Sequence, residues 1–216
     1  MSILKEHEKF EMEVLEKMSS AKLLEPLVFG GGTMLRLCYE LNRYSTDLNF
    51  WIIKEIDESK YFKKCKDYLK SIYEITYSQN KHYTLLFELR SENYPKRLKI
   101  EIRKGISECE FTQRIAFSPF TNKQIFLKVH TLNQTMANKI AAAIDRKNIR
   151  DVYDIEFITK RGIGLPTDNQ QLAELKKIIL GFKDRDYKVT LGSILEAKER
   201  KYYIEKKFDF LMEKLG

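Results

Sequence analysis

Residues 29–52 read FGGGTMLRLCYELNRYSTDLNFWI, from Phe29 to Ile52. The apolar run Leu27, Val28 and Phe29 predicts a short buried strand that ends at three glycines, Gly30 to Gly32. Thr33 and the spacing of Met34, Leu35, Leu37, Cys38 and Leu41 predict a helix that starts at once. The polar turn Asn42–Arg43–Tyr44–Ser45 leads into a second strand, Asp47 to Ile52. Glycine accepts backbone torsions that other residues resist, so such a loop can press its N–H groups against an anion. A helix beginning near Thr33 adds free N–H groups and the positive end of its dipole. In the second strand Leu48, Phe50 and Ile52 share one face, and Asp47 and Asn49 share the other. A phosphate cradle thus adjoins a polar pair able to hold a hard cation, an arrangement suited to nucleotide chemistry.

The chain of 216 residues is long enough to bury a sizeable core in one large or two small domains. Its 43% hydrophobic and 12% aromatic content belongs to a globular protein, not a disordered one. No apolar run approaches the ~20 residues that span a bilayer. The charged N-terminal segment has no signal-peptide core, so cytoplasm is the expected location and no membrane partner is expected. Three cysteines and three histidines (His7, His82, His130) are scattered without metal-ligand spacing, which argues against zinc and against histidine-based catalysis. The formal charge of +8 favours polyanionic partners such as RNA, although a lysine-rich solvated surface gives the same balance.

Residues 3–19 carry Ile3, Phe10, Val14, Leu15 and Met18 at helical spacing and read as a cover helix without chemistry. A helix is expected over 58–73, with Tyr61, Phe62, Cys65, Leu69 and Ile72 inward. Alternating segments at 74–77, 83–89 and 97–103 predict antiparallel strands, and 111–117 and 124–129 predict two more. In Leu98-Lys99-Ile100-Glu101-Ile102-Arg103 the apolar residues take one face, with Lys99, Glu101 and Arg103 on the other. Beyond Val129 the period becomes helical: 132–147, 149–160, a helix capped by Thr167 or Asp168 that runs to Leu180, and a long final helix over 191–215. The expected architecture is α+β: residues 1–129 form a mixed sheet flanked by helices, and residues 130–216 form a helical bundle closing a cleft. In the second part Lys139 and Arg146 lie two turns apart on one side of a helix, and Asp151 and Asp154 are neighbours at the start of the next. The aspartates orient those cations, or else cap the second helix and pair with Arg150.

A Gly-Gly-Ser/Thr loop, a short helix and an Asp-x-Asp strand resemble the nucleotidyltransferase superfamily of polymerase-beta type. The longer GGTMLRLCYELNRYSTDLNF is similar to the AbiEii/AbiGii toxin and phage-exclusion group, with its GGT-x-LRL … R-x-S-x-DLDF wording. Gly31, Gly32, Thr33, Arg43, Ser45 and Asp47 match, whereas Asn49 stands where the family has a second aspartate. The downstream elements also match: Lys139, the basic Arg146, and an R-D-x-x-D element at Arg150, Asp151 and Asp154. The resemblance implies that Gly31, Gly32 and Thr33 hold phosphates, with Arg43, Ser45, Lys139 and Arg146 completing nucleotide binding and Lys139 also catalytic, balancing the charge spread over the triphosphate. Asp47 and Asn49 would be catalytic residues that hold Mg²⁺ or Mn²⁺. Glu101, the third carboxylate from a neighbouring strand, would serve as another metal ligand or as the base, and Asp151 and Asp154 would support the site. The implied reaction moves a nucleoside monophosphate from an NTP to an RNA, notably tRNA, or to a protein. The implied setting is a toxin–antitoxin or abortive-infection module with a cognate antitoxin. Because an amide contributes no negative charge, Asn49 also admits a catalytically weakened nucleotide- or RNA-binding member of the same fold.

Overall fold

The computed structural model describes residues 3–166 and 168–216. Its contacts divide the chain into two units. One holds the chain through Glu40 together with Tyr44–His130, and the other holds Leu41–Arg43 and Thr131–Gly216.

The first unit is built on a seven-stranded mixed sheet: β1 (Leu27–Gly30), β2 (Asp47–Ile52), β3 (Glu74–Asn80), β4 (Thr84–Arg90), β5 (Leu98–Arg103), β6 (Phe111–Phe117) and β7 (Gln124–His130). The strand order is β3-β4-β5-β2-β1-β7-β6. β2 runs antiparallel to β1 and parallel to β5, and β1 runs parallel to β7. Three helices belong to this unit: α1 (Ile3–Ser20), α2 (Gly31–Tyr39) and α3 (Glu58–Lys70).

Strict alternation places the central strands. Leu48, Phe50 and Ile52 of β2 and Leu98, Ile100 and Ile102 of β5 are buried, and Asp47, Asn49, Lys99 and Glu101 between them are half-buried. Burying each apolar side chain contributes about 1.5–3 kcal/mol. A slip of one residue in the pairing would exchange the two sets, so the core holds the polar face in register. The Phe29 and Phe50 rings meet at 5.1 Å, and Phe62 of α3 stacks on Phe87 at 5.0 Å. Ile72, expected to point inward, is exposed, because α3 ends at Lys70.

The second unit is helical: α4 (Leu132–Arg146), α5 (Ile149–Lys160), α6 (Asn169–Gly181), a π-helical turn (Asp186–Leu191), a 3-10 turn (Gly192–Ile194), α7 (Ala197–Lys206) and α8 (Asp209–Lys214). Thr131, Asn148 and Asp168 cap α4, α5 and α6 through hydrogen bonds to backbone N–H groups. The alternative cap, Thr167, lies outside the described residues. The expected continuous helix over 191–215 is instead broken in two. Lys207 takes a positive φ of 51° between α7 and α8, and Phe208 turns into a ring cluster with Phe182, Tyr187 and Tyr203. Glu156, fully buried on α5, secures both pieces by accepting from the Tyr203 hydroxyl (2.7 Å), Lys160 Nζ (2.6 Å) and the Leu211 N–H (3.3 Å).

Candidate active site

Gly30 pairs with Asn49 across β1 and β2, and α2 begins at the next residue. A Cβ on Gly30 would come within 2.6 Å of both His130 Nδ1 and Trp51 Cζ3. Gly31 has φ of +81°, and a Cβ there would come 3.2 Å from Asn49 Nδ2. Only glycines allow the helix to start this close to the strand. The helix opens with no side-chain cap, so the N–H groups of Gly31, Gly32 and Thr33 are left to water or an anion.

Thr33 is fully buried, and its hydroxyl donates to the Asp47 carbonyl at 2.8 Å. Asn49 Nδ2 approaches the same carbonyl at 3.4 Å. The turn of α2 and the head of β2 are therefore joined, so the glycine loop and Asp47 belong to one local structure. The Thr33 hydroxyl is spent on this link, leaving its backbone N–H as the group suited to phosphate.

β5 brings the third candidate alongside. In the parallel register Asp47 sits by Lys99 and Asn49 by Glu101, all on the polar face. Glu101 forms an ion pair with Lys99, and that contact, reinforced by the charge of Asp47, raises the Lys99 pKa. Among the described residues no three His, Cys, Asp or Glu side chains are grouped as a metal site. Asp47, Asn49 and Glu101 nonetheless offer two carboxylates and an amide oxygen on one accessible face, a hard donor set that fits Mg²⁺ or Mn²⁺.

The same face continues across the sheet. The Trp51 ring carries the Arg103 guanidinium at 5.3 Å and meets the His130 ring at 4.5 Å. Farther along, Phe111, Ile115, Phe117 and Phe126 are exposed, with Ile115 directly opposite Phe126 in the β6–β7 ladder.

The downstream candidates meet within the second unit. Arg43 Nε and Nη2 donate to the two carboxylate oxygens of Asp154, both at 2.6 Å. Lys139 Nζ lies 2.5 Å from Asp154 and 3.0 Å from Asp151. Arg146 donates to Asp151 through Nε (2.7 Å) and Nη2 (2.8 Å). Burial works to raise the Asp151 pKa, but Arg146 and Lys139 outweigh it and hold the carboxyl below its ordinary range. Burial likewise opposes the charge on Arg43 and is overcome by Asp154. Asp151 thus orients cations, and Asn148 takes the capping role that the sequence allowed the aspartates. Ser45 is half-buried just ahead of β2.

Sequence reading missed the polar face of α1. His7, Glu8 and Glu11 are buried, not solvated. His7 Nε2 donates to the Thr46 carbonyl at 3.0 Å, and Glu8 accepts from Arg36 (2.9 Å) and Ser118 (2.6 Å). The available signal was position: these residues fall on the same helical stripe as Phe10, Val14, Leu15 and Met18.

The mixed sheet, with an Asp-x-Asn strand beside a glycine-started helix, is that of a nucleotidyltransferase. Residues 13–214 match the family described as nucleotidyl transferase AbiEii toxin, type IV toxin–antitoxin system, and the chain belongs to that family. The fold is shared with the crystal structure of JHP933 from Helicobacter pylori (TM-score 0.55, 20% identity), over 95% of this chain and 93% of that one. It is shared equally with an H. pylori protein proposed to be a nucleotidyltransferase (TM-score 0.56, 19% identity, 95% of each chain). No curated protein matches the sequence. No described helix is long and apolar enough to cross a membrane.

Proposed function

We propose that the first unit transfers a nucleoside monophosphate from an NTP to an acceptor hydroxyl, releasing pyrophosphate. The observation that carries this reading is the junction of Gly31, Asn49, Thr33 and Asp47, which sets the glycine-started helix against the polar face of β2. The N–H groups of Gly31, Gly32 and Thr33 orient the phosphates, while Asp47 and Asn49, with Glu101 beside them, hold Mg²⁺ or Mn²⁺. A bound divalent cation would offset charge on the reacting phosphate. In the second unit three cations face two carboxylates, leaving one positive charge. Arg146, with a side chain 57% exposed, is the member best placed to reach a phosphate, and Lys139 and Arg43 serve chiefly to hold the network together.

RNA, notably tRNA, is the favoured acceptor over protein. The net charge of +8 attracts a polyanion, and Phe111, Phe117 and Phe126 on the open face offer rings on which unpaired bases can stack. Asn49 favours a second reading, in which the protein binds nucleotide without efficient transfer. Incubating the protein with each labelled NTP, Mg²⁺ or Mn²⁺ and total tRNA decides between them. Label in RNA that disappears in Asp47→Ala supports transfer; tight NTP binding with no label in RNA or protein supports the second reading.

A further inference from the structure

α1 passes beneath the head of β2 with polar groups that the proposed transfer leaves without a role. Two successive carbonyls there, Thr46 and Asp47, each receive a side-chain donor: His7 Nε2 at 3.0 Å and Thr33 Oγ1 at 2.8 Å. Glu11 stands behind both donors, with Oε1 3.4 Å from Thr33 Oγ1 and 3.7 Å from His7 Nε2. Glu11 is 1% exposed, and His7 and Thr33 are equally enclosed.

We propose that Glu11 is a positioning residue, which acts through the Thr33 hydroxyl to hold the backbone of Asp47 where its carboxylate can take a divalent cation. A hydroxyl has one proton to give. Thr33 gives it to the nearer acceptor, the Asp47 carbonyl, so its lone pairs face Glu11. The Glu11 contact is then completed by a carboxyl O–H donating to Thr33 Oγ1, with Glu11 in its neutral form. The surroundings agree: burial first, then the charges of Glu8 and Asp47, raise the Glu11 carboxyl well above its ordinary range, against a smaller opposing effect of Arg36. His7 is also held neutral, because burial lowers its pKa despite the hydrogen bond to Thr46. The relay ties the first turn of α2 to the first residue of β2, so anion-binding amides and cation-binding carboxylate move as one piece. Partners in this outer position commonly govern metal affinity as strongly as ligands do.

The inference rests on the transfer reading for its purpose, but its test does not require transfer. Amide hydrogen exchange of the peptide covering β2, measured on the metal-free full chain, reads the brace directly, and Mn²⁺ titration followed by electron paramagnetic resonance reads its consequence. Glu11→Gln keeps a neutral donor, and exchange and Mn²⁺ affinity are expected to stay within about twofold of wild type. Glu11→Ala is expected to speed exchange at β2 and to weaken Mn²⁺ binding roughly tenfold, with kcat falling more than KM for NTP. Thr33→Val, which keeps the shape, should reproduce the alanine effect and serves if Glu11→Ala does not fold. Equal damage from Gln and Ala would overturn the inference in favour of a charged role for Glu11, and wild-type exchange in Thr33→Val would overturn the relay. Mn²⁺ binding and exchange that respond as expected, in a protein that transfers no nucleotide, would uphold the brace and remove only the transfer reading.

Discussion

Asn49 and Glu101 are register partners on parallel strands, so an amide and a carboxylate stand side by side on the polar face of the sheet. The Lys99 ion pair with Glu101 further dilutes the negative charge available there. Asn49→Asp should therefore tighten Mn²⁺ binding roughly tenfold, since affinity for hard cations follows the charge of the oxygen ligands. Metal-free, the same variant should lose about 1 kcal/mol, because aspartate cannot donate to the Asp47 carbonyl as Asn49 Nδ2 does. Calorimetric titration and urea unfolding with and without Mn²⁺ check both signs. Unchanged affinity would remove Asn49 from the ligand set.

Gly31→Ala should be disproportionately harmful for a one-methyl change. Its φ of +81° strains any L-residue by about 1–2 kcal/mol, and the new Cβ would press on Asn49 at 3.2 Å. The apparent Tm is expected to fall by several degrees, with NTP affinity reduced as the first turn of α2 shifts. Gly105→Ala, at φ of +79° with nothing near its Cβ, is the control, carrying strain without crowding the site.

The second unit's charge network should respond unequally to its members. Asp154→Ala takes from the buried Arg43 guanidinium its two-oxygen carboxylate partner and from Lys139 one of its two, at a loss of about 3–5 kcal/mol in denaturant unfolding. Arg146→Ala removes a side chain more than half exposed, but it takes two donors from the buried Asp151, which keeps Lys139. The loss should be smaller than for Asp154→Ala, at about 1–3 kcal/mol.

How much of this was legible depended on the reach of each interaction. The faces of β2 and β5 follow from a period of two within six residues, and the helix start at Gly31 follows from adjacent glycines, so both could be read locally. Lys139, Arg146, Asp151 and Asp154 could be grouped because helical spacing carries them to one side. Arg43, by contrast, reads as part of a polar turn, and only Asp154, 111 residues away, explains its burial. The α1 polar stripe fails for the same reason. Helical position puts Glu8 and Glu11 on the buried stripe, but their charge argues for solvent until Ser118 and Thr33 are known to face them. The break at Lys207 depends on distant rings collecting Phe208, which no local period encodes.

His130 should give the fold a measurable acid dependence. Its ring lies against Trp51 and under Gly30, 1% exposed, and burial lowers its pKa to about 4 from 6.5. Between those values the unfolded chain binds the proton that the native chain refuses, so stability rises with pH across this window. The His130 contribution is therefore complete above pH 6.5 and is lost as pH falls through about 4. The drop amounts to at most about 3 kcal/mol at 1.36 kcal/mol per unit. Glu11 works in the opposite sense, since a raised carboxyl favours the native state at low pH and loses that contribution as pH rises. His130→Phe keeps a ring beside Trp51 but cannot titrate. Its unfolding free energy, followed by denaturant titration from pH 7 to 4, should fall less steeply than that of the wild type. Parallel curves for the two proteins would mean that the acid sensitivity arises elsewhere, with the buried His7, whose pKa burial also lowers from 6.5, the next group to replace.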